Sequence, residues 1–121
     1  MTPRDLPGAL ISHAAGLTSA SAAAELICAH HTWLTRTDFT TTCVHAGTRY
    51  DQHPYAYIDW ELAITTLDSH QLPCTPSEAG ILRIAASLGD HYIPVHLARV
   101  LGNLDHTNIA LVTTAITRAN G

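Results

Sequence analysis

The chain has 121 residues, 46% of them hydrophobic and only 6% aromatic, which suits one domain with an interior of Ala, Leu and Ile rather than rings. Six cations, all Arg, face ten carboxylates; the net charge of −4 and the lack of any basic run argue against a sequence-independent grip on nucleic acid or anionic lipid. Three cysteines (Cys28, Cys43, Cys74) cannot close a disulfide framework without a leftover thiol, and the uncharged stretch 6–24 is too polar and interrupted to span a membrane or serve as a signal peptide. A soluble cytoplasmic protein with free thiols is expected. Nine His titrating near ~6.5 would carry the charge to roughly +4 by about pH 5.5, so solubility should be poorest near the pI of 6.1.

In chain order, Asp5 and Pro7 open a short helix through Leu10, Ile11 and Ala14 that stops at Gly16. From Thr18 or Ser19 a core helix runs to about Leu34, with Ala23, Leu26, Ile27, His30, Trp33 and Leu34 on one stripe. Asp38 starts a shorter helix carrying Phe39, Cys43 and Val44, ended by Gly47, although Thr40, Thr41 and Thr42 are poor helix formers. Residues 47–54 read as a loop. Beyond it, Tyr57, Trp60, Ala63, Ile64 and Leu67 recur every three or four residues, which predicts a helix from Tyr55 to about Ser69.

The C-terminal half is punctuated most clearly. Thr75, Pro76 and Glu78 form a capping box with proline at the first helical position, Ile81, Ile84, Ala85 and Leu88 follow at helical spacing, and Gly89 offers a left-handed close. A second helix opens at Pro94 and reaches Gly102, and a third opens at Asp105 with Ile109, Val112 and Ile116 on one face. Strand alternation is nowhere sustained. The expected fold is therefore all-α, a compact single-domain bundle of five to seven short helices over residues 1–121. Its expected core is Leu26, Ile27, Trp33, Trp60, Ile64, Leu67, Ile81, Ile84, Leu88, Leu97, Leu101, Ile109, Val112 and Ile116.

The segments Ile58-Asp59-Trp60, Leu67-Asp68, Leu72-Pro73-Cys74, Ser77-Glu78, Leu82 to Leu88 and Leu104-Asp105 through Gly121 share a pattern, to which His31-x-Trp33-Leu34-x-Arg36-x-Asp38-Phe39 is added upstream. Over about half its length the chain thus resembles small helical proteins of GC-rich, actinobacterial-type genomes. The resemblance implies a shared helical fold and brings no activity with it.

Four arrangements bear on function. Cys28-x-His30 and Cys43-x-His45 pair metal-ligand types, but residues two apart point about 200° apart on a helix, so buried thiols are the simpler reading and neither a metal nor a cofactor is expected. Cys43 with His45, or Asp59 with Glu61, supply acid, base or nucleophile types without a nucleophile elbow or a phosphate loop. For a small enzyme, the polar loop residues Arg49, Tyr50, Asp51 and His53 are the first candidates. Residues 94–119 echo a helix-turn-helix in which His106, Thr107 and Asn108 would contact DNA, yet no cation follows before Arg118. Finally, only 13% of residues are charged, and the resulting apolar and Thr-rich helix faces favour a protein partner or self-association, such as a homodimer. The leading expectation is a non-enzymatic adaptor or regulator acting through protein–protein contacts. A DNA-binding regulator and a small enzyme stand behind it.

Overall fold

The computed structural model describes residues 5–121, and the order of elements there is seven α-helices interrupted by one β-hairpin. Helix α1 spans Leu6–Ala14 and α2 spans Thr18–His30; a single 3₁₀ turn at Thr32–Thr35 leads into α3, Thr37–Cys43. Strands β1, Val44–Thr48, and β2, Pro54–Ile58, pair antiparallel. Then come α4, Trp60–Asp68; α5, Pro76–Gly89; α6, Leu97–Leu101; and α7, His106–Ala119. The expectation of a wholly α-helical chain is thus corrected by a two-stranded sheet.

Local chemistry explains most helix starts. The Thr75 hydroxyl accepts from the Glu78 amide at 3.1 Å while the Glu78 carboxylate accepts from the Thr75 amide at 2.8 Å, which satisfies two donors at once at the start of α5. Asp5, Asp59 and Asp105 each accept from the amide three residues on, and so open α1, α4 and α7. α2 stops four residues earlier than its stripe suggests because His31 takes a positive φ of 74°. That break turns the Trp33 indole inward, where Nε1 donates to the Glu78 carbonyl at 3.0 Å.

The core forms where α2 packs against α5 and α7, with α1 against α2 and α4 against α5. Ala22, Ala23, Ala85 and Ala86 are fully buried, so the backbones approach closely in a way that larger residues would prevent. Trp33 and Phe39, with ring centroids 5.3 Å apart, fill the wider space between α2, α3 and α5.

The expected core needs revision on the last two helices. Leu97, in α6, is exposed at 43%, and Ile109 and Ile116 are exposed at 36% and 49% because α7 turns Asn108, Val112 and Ala115 toward α2 and α5 instead. α6 also begins at Leu97, after His96, and not at Pro94, and its buried residue is Val100. Trp60, Ile64, Leu88 and Leu101 are partly buried. Leu26, Ile27, Trp33, Leu67, Ile81, Ile84 and Val112 are buried as expected, joined by Leu6, Leu10, Phe39, Ile58 and Leu82.

Gly89 serves packing in place of a left-handed close. It is the last residue of α5, and a Cβ there would collide with the edge of the Trp60 indole. No described helix is long and apolar enough to cross a membrane.

Candidate functional site

The expected loop 47–54 is the tip of the β1–β2 hairpin, and the expected helical start at Tyr55 is strand β2. Pairing runs Val44 to Ile58, His45 to Tyr57, Ala46 to Ala56, Gly47 to Tyr55 and Thr48 to Pro54. Successive side chains alternate faces: Ala56 and Ile58 are buried, whereas Tyr57 and His45 stand in solvent. The tip closes with Gln52 at φ 68° and its amide donating to the Arg49 carbonyl at 2.9 Å.

The outer face is a row of rings. The His45 imidazole stacks on Tyr57 at 5.1 Å, and His13, reaching over from α1, stacks on the same tyrosine at 5.4 Å. Tyr55 lies 6.5 Å from Tyr57 and 6.2 Å from His13. Gly47 is what lets Tyr55 lie flat across β1, since a Cβ there would stand 2.7 Å from the phenol oxygen. His45 also approaches Asp59, 3.9 Å from Nε2 to a carboxylate oxygen.

Beside the row, a groove of about 550 Å³ runs between α1 and the tip, lined by Ser12, His13, Arg49, Asp51, His53 and Tyr55 among others. Three of the four candidate loop residues therefore meet here. His53 Nδ1 lies 3.0 Å from Asp51, and the His53 backbone N–H, then its imidazole, hold the Asp51 carboxyl below the usual carboxylate range. The fourth, Tyr50, projects from the tip and is fully exposed.

The aromatic residues divide by chemistry. Trp33 and Phe39 are buried and Trp60 is partly buried, whereas Tyr50, Tyr57 and Tyr92 are exposed and Tyr55 is half-buried. Three of the four tyrosines thus sit on the hairpin between Val44 and Ile58, showing phenol edges to water.

The remaining candidates are scattered. Cys43 is fully buried and burial pushes its thiol up, while His45 points out from the sheet, so the two form no catalytic pair. Burial pushes the Cys28 thiol up to about 11, and it donates to the Pro7 carbonyl at 3.7 Å. Among the described residues no three His, Cys, Asp or Glu side chains converge as a metal site would require. Asp59 is occupied in capping α4 and Glu61 is exposed beside it. In α7, His106 and Thr107 are exposed, but Asn108 is buried and donates to Ser77 Oγ at 2.7 Å, which removes it from any groove-reading surface.

No family model, curated protein or solved structure matches the chain.

The aromatic row is hidden in the sequence because Tyr57, Trp60 and Ile64 also fit a helical period. The signal that would have found it is the two-residue alternation of Tyr55 and Tyr57 with Ala56 and Ile58, bounded by Pro54 and Asp59.

Proposed function

We propose that the protein is a non-enzymatic binding module acting through protein–protein contacts, that the β1–β2 hairpin is its contact surface, and that a second copy of the chain is a partner. The observation that carries this reading is the row formed by exposed His13, Tyr57 and His45 with half-buried Tyr55, which contributes rings to solvent while the core of the same molecule is built mainly from alanine and leucine. Amphipathic rings of this kind supply large contact area with little conformational entropy to lose.

The backbone supports the same surface. Arg49 donates to the His53 carbonyl and Asp59 to the Cys43 carbonyl, so Cys43, His45, Gly47 and Arg49 aim their backbone groups at β2. Ala46 and Thr48 aim theirs the opposite way, and neither makes a backbone hydrogen bond to another element among the described residues. Such an edge accepts an added strand. β1 carries no carboxylate and no Arg, so a copy pairing antiparallel about Ala46 brings no fixed like charges together. That register sets each His45 opposite the partner's Gly47, beside the Tyr55 ring that covers it, and so continues the row across both chains.

Replacing Ala46 with Pro tests this directly. It removes one outward N–H on each chain and leaves the hairpin's own ladder intact. Sedimentation velocity over a concentration series should show wild type self-associating and Ala46→Pro remaining monomeric with an unchanged circular dichroism spectrum. A wild-type chain that stays monomeric throughout, or an Ala46→Pro variant that associates equally well, rejects the reading.

A further inference from the structure

A cleft of about 420 Å³ lies between the first turns of α5 and the segment from Pro94 through α6. Its wall contains Arg83, His96, Arg99 and Asn103 but no Asp or Glu. In a chain with ten carboxylates and six arginines, a wall with two arginines and a histidine runs against the average composition, although Asp68, outside the lining, bonds one of the two, Arg83.

The two arginines are held differently. Arg83, which also borders the cavity beside Leu67 and His70, is tied through one terminal nitrogen to Asp68 at 2.6 Å, and its other N–H groups have no hydrogen-bond partner among the described residues. Arg99 has no carboxylate partner among the described residues, in contrast to Arg36 and Arg118, which pair with Asp38 and Glu25. Pro76, Ala79, Pro94 and Val95 supply apolar surface next to these donors. Gly80 sets the depth of the cleft: a Cβ there would meet Val100 at 3.0 Å and Leu104 at 3.2 Å, so the α5–α6 approach that forms the floor depends on its absence.

We infer that this cleft between α5 and α6 binds a small organic phosphate, whose oxygens are received by Arg83, Arg99 and His96 and whose organic portion rests on Pro94 and Val95. A planar guanidinium matches phosphate oxygens in pairs, and Arg99, which no carboxylate opposes among the described residues, together with the remaining N–H groups of Arg83 and the His96 imidazole offers more donors than a monocarboxylate can use. Apolar wall beside the donors favours a phosphate ester over the free ion. The cleft shares no residue with the hairpin groove, so this inference stands or falls independently of the self-association proposed above.

The test is an amide chemical-shift titration of the full chain with inorganic phosphate, phenyl phosphate and acetate at constant ionic strength. Saturable shifts confined to residues 76–83 and 94–103 are expected, with phenyl phosphate binding about tenfold more tightly than inorganic phosphate and acetate more weakly than either. Arg99→Ala should weaken phenyl phosphate binding by about tenfold or more, and Arg99→Lys should restore part of it. His96→Ala supplies a second variant should Arg99→Ala perturb the fold. Shifts that do not saturate, that spread over other surfaces, or that persist unchanged in both alanine variants indicate an adventitious ion only and overturn the inference. Acetate binding as tightly as phenyl phosphate would overturn the phosphate assignment.

Discussion

Where α2 meets α5, Ala22, Ala23, Ala85 and Ala86 are fully buried and Ser19 Oγ donates to the Leu88 carbonyl at 2.6 Å, whereas on the hairpin the largest side chains of the strands face water. The first region gains stability by close backbone approach and by excluding solvent from small residues. The second leaves ring surface unburied, a state that a monomer gains little from keeping. The contrast teaches that size and burial have been separated: alanine carries the architecture, while tyrosine and histidine line the open face of the hairpin.

Substitutions in the two regions should therefore have opposite signatures, and the largest effect belongs to the core. Trp33 is completely buried, packs on Phe39, donates to Glu78 and has the Arg36 guanidinium 4.8 Å from its ring centroid. Trp33→Ala should cost about 3–5 kcal/mol, read as a collapse of the denaturant midpoint; a loss near that of a surface substitution would remove Trp33 from the core. Next is Gly89→Ala, which forces the Trp60 indole off the end of α5 and should cost about 1–3 kcal/mol by the same assay. A neutral result there would mean that the α4–α5 contact yields easily.

His30 offers a pH handle on the core side. Burial holds its pKa below the ordinary imidazole value, outweighing the opposite pull of Glu78 and Asp105, and Nδ1 is buried without a hydrogen-bond partner among the described residues. The unfolded chain then binds this proton more readily than the native one. The stability contribution is fully present above the unfolded pKa of about 6.5 and is lost as pH falls from there through the lower native value. His30→Leu should flatten that part of the stability–pH curve, and an unchanged slope would assign the dependence to other groups.

The smallest stability effect is expected on the outer row. Tyr57→Ser removes a ring that is 42% exposed and should change folding stability by less than about 1 kcal/mol while abolishing self-association in sedimentation. If Tyr57→Ser instead destabilised the fold as much as Gly89→Ala, the row would belong to the architecture and the distinction between the two regions would fail.

Helix starts were legible in the amino-acid sequence because caps act over three residues. Thr75 with Glu78, Asp59 and Asp105 bond to neighbours along the chain, and no distant segment has to arrive first. Yet Asp59 came into view as half of an acidic pair, since the chain before it was expected to be helical already. The hairpin was hidden because Tyr57, Trp60 and Ile64 satisfy a period of 3.6, and only pairing with Val44–Thr48 selects the period of two. In the candidate site, Arg49, Asp51 and His53 could be picked out from their polar cluster, but His13 arrives from α1, more than thirty residues away in sequence.

By itself, then, the sequence determined that this is a mostly helical chain with a small-residue interior, and where α5 and α7 begin, since composition and capping are local properties. Tertiary structure alone decided the rotation of α7, the break at His31 and the assembly of the His13, Tyr55, Tyr57 and His45 row. Each of those depends on which surface a distant element presents, and an apolar residue such as Ile109 carries no record of whether α2 or solvent will face it.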